Sequence, residues 1–127
     1  MPAETVKKID KHILQARTKE LAHRCVKLCS ALPKNWLAIP IRSQLMQCAT
    51  SVAANYRAAC ISQTKPSFVS KLGIVVEETD EVCFWIEFVI EERLLTEKQC
   101  IDLLKEAREL TSIFAASQKT ARKSPFQ

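Results

Sequence analysis

One glycine in 127 residues is the tightest constraint on what this chain can fold into. Average usage of about 7% would supply about nine. Tight hairpins and phosphate-cradling loops need glycine, for φ > 0 or for close approach of the backbone. A many-stranded sandwich, a Rossmann crossover and a P-loop are all disfavoured. The length fits a single domain over 1–127 and buries about two-thirds of the unfolded surface without a disulfide or metal staple. Composition alone therefore points to helices and names no function.

Hydrophobic periodicity predicts four of them. The first covers 5–32, with Val6, Ile9, Ile13, Leu14, Leu21, Cys25, Leu28, Cys29 and Leu32 on one face. Pro33 ends it. Trp36, Leu37 and Ile39 read as an apolar link packed over one end of a bundle, and Pro40 stands near the start of the second helix, where its missing N–H costs little. The second helix covers 41–62. Its apolar face takes Ile41, Leu45, Cys48, Ala49, Val52, Tyr56, Ala59 and Cys60, and small residues elsewhere allow close packing. The third covers 67–93, with the glycine, Gly73, inside it. A mid-helix glycine costs roughly 1 kcal/mol against alanine, so a close helix contact is expected there. The fourth, over 97–121, follows a capping box made by Thr96 and Gln99. Lys119, Arg122 and Lys123 suit its C-terminal dipole, and residues 123–127 are expected to fray. Four long helices with short links give an all-α, up-down-up-down antiparallel bundle.

The third helix carries more apolar surface than one core face needs. Residues 82–90 are apolar nearly all the way round, so Phe84, Trp85 and Phe88 cannot all face the core that holds Val82, Ile86 and Val89. A protein–protein interface is the economical use of such a patch. Homo-oligomerisation is expected, with Gly73, Phe84, Trp85 and Phe88 at the interface.

No run of about 18 apolar residues offers a membrane span, and no apolar segment follows the first charges as in a secretory signal. The chain reads as cytoplasmic, with no membrane partner. Cysteines 25, 29, 48, 60, 83 and 100 include no Cys-x-x-Cys pair. Reduced core filling is their simplest role. Cys25 and Cys29 share a helix face, which leaves open a soft-metal site completed from elsewhere.

The +5 formal charge is unevenly spread. Residues 1–76 carry twelve Lys/Arg and three Asp/Glu, and residues 77–127 carry seven and eleven. No acid lies between Glu20 and Glu77. That interval holds Arg24, Lys27, Lys34, Arg42, Arg57, Lys65 and Lys71. Such asymmetry suits either a polyanion partner or helices that pair basic and acidic faces with each other.

Little here points to catalysis. His12 and His23 are the two histidines. Glu20 and His23 have the Glu-x-x-His spacing of di-metal bundles, but such sites need two of these pairs and two further glutamates. Glu77, Glu78, Asp80 and Glu81 form the densest acidic cluster, and Glu77 and Glu81, at i, i+4, call for a counter-charge. Arg42 or Arg57 is the natural donor of an ion-pair network. No enzyme activity, metal or cofactor is expected.

The segment opening Ser43-Gln44-Leu45 and closing Ser51-Val52-Ala53-Ala54-Asn55 resembles the bacterial four-helix-bundle proteins encoded in intervening sequences of 23S rRNA genes. Their pattern there is Ser-Gln-Leu, basic and small residues, then Ser-Ile-Pro-x-Asn. Residues 68–88 resemble the family's third helix, and the likeness extends from about 9 to 115. Two departures stand out: Ala53 replaces the family proline, and Arg57-Ala58-Ala59 replaces its Glu-Gly ending. The resemblance implies a ring-like homopentamer. It also implies kinship with the accessory variability protein of diversity-generating retroelements, a basic barrel that binds nucleic acid and a reverse transcriptase.

The leading expectation is a non-enzymatic oligomer that meets RNA or DNA, and through it a nucleic-acid enzyme, with phosphates held by Arg24, Lys27, Arg42, Arg57, Lys65 and Lys71. The alternative is a structural or protein-interaction scaffold whose basic residues pair with its own acidic helix.

Overall fold

A computed structural model describes residues 3–123 of the chain, with side chains from residue 11 onward. It contains four helices: α1 Ala3–Ala31, α2 Ala38–Cys60, α3 Lys65–Glu91 and α4 Glu97–Lys123. There are no strands among the described residues. The expected apolar positions Val6 and Ile9 fall where side chains are not described, and the expected fraying after Lys123 falls on residues outside the description.

The helices share one core. Leu21, Cys25, Ile41, Leu45, Val52, Leu72, Val75, Val82, Ile86, Leu110 and Phe114 are nearly or completely buried. Tyr56 and Phe114 meet inside it with ring centroids 4.9 Å apart. Two buried hydroxyls are satisfied within their own helices: Thr18 donates to the Gln15 carbonyl and Thr79 to that of Val75. Neighbouring helices are tied at matching heights. Ser62 lies beside Ser67, and Ser51 faces Glu78 across a shared groove, setting α2 against α3. Lys65 reaches Arg122, Gln118 reaches Val69, Cys83 meets Thr111 and Arg108 meets Glu87, joining α3 to α4. The start of α3 therefore sits at the end of α4.

The links follow local chemistry. Thr64 caps α3, its hydroxyl accepting from the Ser67 N–H at 3.2 Å, with Pro66 in the first turn. The Thr96–Gln99 capping box forms as expected: Thr96 Oγ1 accepts from the Gln99 N–H at 3.2 Å, and Gln99 Oε1 accepts from the Thr96 N–H at 2.9 Å. Between them α3 ends in a Schellman turn. Arg93 takes φ 56°. Its N–H donates to Ile90 and the Leu94 N–H donates to Val89, both at 3.0 Å. Glycine usually fills this left-handed position, but the one glycine lies elsewhere.

The α1–α2 corner departs from expectation. α2 begins at Ala38, three residues earlier than the periodicity predicts. Asn35 Oδ1 accepts from the Ala38 N–H at 2.9 Å. Ala38 and Ile41 turn inward, one helical turn apart, so Trp36 and Ile39 must turn outward. Trp36 is 81% exposed and Ile39 62%. They do not pack over the bundle end; only Leu37, half-buried against the core, behaves as the sequence suggested.

Candidate functional site

Cations share one end of the bundle, where α2 ends, α3 begins and α4 ends. Arg57 stands exposed in the last turn of α2. Lys65, one residue past the α3 cap, donates from Nζ to the Arg122 carbonyl at 2.8 Å, placing its charge at the negative end of the α4 dipole. Lys71 lies two turns further, its Nζ 3.5 Å from Ser67 Oγ. Lys119, Arg122 and Lys123 are exposed on the last turns of α4. Residues 55–76 and 110–123 contain no Asp or Glu. The result is a basic end without carboxylates of its own from these segments.

Three of the six predicted phosphate contacts, Arg57, Lys65 and Lys71, thus come together, and three do not. Arg42 sits at the other end of α2 and caps α1. Its Nε donates to the Cys29 carbonyl at 3.2 Å and its Nη2 to those of Leu32 and Pro33 at 3.4 Å. Arg24 is half-buried near Glu106, whose carboxyl it helps hold down. Lys27 is exposed along α1. Sequence reasoning used Lys119, Arg122 and Lys123 only as dipole partners. The available signal was that the acid-rich second half ends in a stretch with no acid.

The expected ion-pair network is corrected. Among the described residues the ion pairs are Arg17–Glu106 at 2.7 Å, Arg17–Glu109 at 3.1 Å and Arg108–Glu87 at 3.0 Å. Arg42 is engaged by carbonyls instead, and Arg57 stands apart from the acidic cluster along α2. Glu77 and Asp80 are exposed. Glu78 and Glu81 line a groove of about 300 Å³ between α2 and α3, with Gln44, Gln47, Cys48 and Ser51. Burial, and then the neighbouring Glu81 charge, push the Glu78 carboxyl above its ordinary range against a hydrogen bond with Ser51. Trp85 Nε1 donates to Glu81 at 3.4 Å.

Trp85 begins an aromatic cluster. Its ring lies 4.9 Å from Phe84 and 5.9 Å from Phe88, both edge-on, and Phe84 stacks on Phe88 at 6.0 Å. Trp85 and Phe88 pack partly against the core, while Phe84 is 52% exposed. Gly73 is not part of this cluster. A Cβ there would stand 2.8 Å from Gln118 Nε2, which donates to the Val69 carbonyl at 3.1 Å. The close approach that the glycine permits is to the chain's own α4.

The remaining candidates are plainly placed. Glu20, His12 and His23 are exposed on α1. All six thiols are free, and all but Cys60 are buried. Burial pushes the Cys25 thiol well up and Cys48 to about 12, as suits core filling rather than nucleophilic work. No described helix is long and apolar enough to cross a membrane.

A model of the family described as 23S rRNA-intervening sequence protein matches residues 10–116. The chain is also similar to a crystal structure of a protein of unknown function from the S23 ribosomal protein family of Bacteroides thetaiotaomicron. The two share 25% identity and a TM-score of 0.77, over 84% of this chain and 98% of the other. No curated protein matches the chain significantly.

Proposed function

Since the chain belongs to the 23S rRNA-intervening sequence protein family, we propose that it is a non-enzymatic helical bundle that associates with RNA or DNA through its basic end and assembles with copies of itself. The observation that carries the nucleic-acid reading is the placement of Arg57, Lys65, Lys71, Lys119, Arg122 and Lys123 at one end, from segments without an acid. Contacts of this kind are electrostatic and largely indifferent to sequence. Several copies would add these weak contacts together. A ring-like homopentamer is the assembly the resemblance suggests, the short links suit an up-down-up-down bundle, and the cytoplasm is the compartment we infer; a nucleic-acid enzyme is a fitting further partner.

The test is binding of a generic oligonucleotide across a salt series. Arg57→Glu and Arg122→Glu together are expected to lower affinity, and to reduce the slope against log salt by about one for each phosphate no longer neutralised. Wild-type binding that ignores salt, or no binding by the intact protein, would sink the reading.

A separate observation favours a scaffold of another kind, one built from copies of the chain rather than by pairing of its basic residues with its own acidic helix. The Phe84–Trp85–Phe88 cluster adjoins a groove whose two carboxylates have no cation beside them among the described residues. That surface suits a second copy. Phe84→Ala and Trp85→Ala are expected to lower the mass in light scattering, and an unchanged mass in both removes the interface.

A further inference from the structure

We propose that the α1–α2 corner is a stacking site for single-stranded nucleic acid, with the Trp36 indole as the platform for an unpaired base. The inference rests on the nucleic-acid reading above and adds a place where a base, rather than a phosphate, is held.

Trp36 is 81% exposed and Ile39 62%, a large apolar surface to leave in water. The backbone beneath them is pinned. Arg42 bonds three carbonyls at the end of α1, and Asn35 Oδ1 holds the Ala38 N–H. With the backbone beneath it fixed, only the two side-chain torsions of the indole remain to be ordered when a ligand covers it. The same corner holds a cleft of about 490 Å³ that Trp36 itself does not line; Ser30, Leu32, Lys34, Ile39 and Arg42 are among its walls. Lys34 and Lys27 are exposed, and neither α2 nor the part of α1 after Glu20 carries an acid. The two elements that form the corner are therefore positive, while the exposed Glu91 and Glu92 at the end of α3 share this end of the bundle.

An unpaired nucleotide uses both features at once. Its base offers a π-face to the indole, and its phosphate meets Lys34. A base inside a duplex has both faces stacked, so the corner selects single strands. An apolar protein partner would use the indole and Ile39 but would draw nothing from the lysines. Stacking also tolerates any base, in keeping with the sequence-independent contacts of the basic end.

The test combines anisotropy of a labelled single strand of mixed sequence, tryptophan emission and light scattering on the full chain. The single strand is expected to quench tryptophan emission, and its duplex to quench far less. Trp36→Ala is expected to lower affinity about tenfold, the low-to-middle part of the range for one stacked base. Trp36→Phe, which keeps a ring, is expected to stay within about threefold while losing the quench. Because the residue is exposed, helicity by circular dichroism should be unchanged in both. Wild-type affinity in Trp36→Ala overturns the stacking site and spares the phosphate reading. Equal quenching by duplex overturns it as well. A lower mass for Trp36→Ala with unchanged affinity assigns the corner to a protein contact instead. Failure of the wild-type chain to bind at any salt overturns both readings.

Discussion

Two glutamate pairs with the same spacing meet opposite fates in this molecule. Glu106 and Glu109 on α4 share one guanidinium: Arg17 Nε and Nη2 grip Glu106 at 2.9 and 2.7 Å, and Nη2 also reaches Glu109 at 3.1 Å. The Arg17 hydrogen bond holds the Glu106 carboxyl below its ordinary range. Glu78 and Glu81 on α3 also sit three apart, on a half-buried seam, yet no described cation reaches them. Burial and mutual repulsion raise Glu78 instead. One seam is closed within the chain. The other has the polar lining and the charge of a seam still open to a cation from outside. A carboxylate's environment, not its spacing, decides whether it stabilises the fold.

The sharpest way to break this comparison is to remove the closing cation. Arg17→Ala is expected to cost about 1–2 kcal/mol, the middle range for charged hydrogen bonds discounted for partial exposure. That corresponds to a fall in Tm of about 4–8 °C. An unchanged Tm would show that the closed seam is no better off than the open one.

Neutralising the open pair should work the other way, and more weakly. Glu78→Gln is expected to stabilise the chain by about 0.5 kcal/mol at pH 7, since it relieves a like-charge pair. The folded state binds a proton at Glu78 more tightly than the unfolded state does. Stability through this group therefore falls as pH rises from the ordinary carboxylate range through the raised folded value, and the gain from Glu78→Gln should vanish below that range. Glu106→Gln has the opposite sign: its loss is present above the ordinary range and fades as pH falls through the lowered folded value. Urea melts at pH 4 and pH 7 separate the two. A lower mass for Glu78→Gln at high concentration would place a second copy's cation in the open seam.

The smallest effect is a control on the third seam. Gly73→Ala gains helix propensity but displaces the flexible end of Gln118, so its net effect should stay within about 0.5 kcal/mol. Its mass in light scattering should not change. A drop in mass would return Gly73 to an interface between copies.

The periodic features of the fold were legible in the sequence. The apolar stripes marked four helices to within a few residues, and Thr96-x-x-Gln99 announced its capping box, because both depend on neighbours one turn away. What depends on distant partners was not. Nothing near Arg42 in sequence says that it will cap the helix before it rather than pair with an acid on the helix after it. Trp36 reads as part of an apolar link over one end of the bundle. Its exposure follows from Asn35 starting α2 early, which turns Ala38 and Ile41 inward. The convergence of Lys65 with Lys119, Arg122 and Lys123 appears only when the start of α3 is set against the end of α4.

The left-handed Arg93 has a consequence for how the molecule is made. Residues 92–96 are closed by local bonds on both sides, the Schellman turn behind and the capping box ahead. The α3–α4 hairpin can form from nearby contacts alone, with a short loop to close. The α1–α2 corner is closed by a side chain instead, with Arg42 reaching back to the carbonyls of Cys29, Leu32 and Pro33. Each hairpin of the bundle thus carries its own closure, and the two halves can take shape separately before they dock.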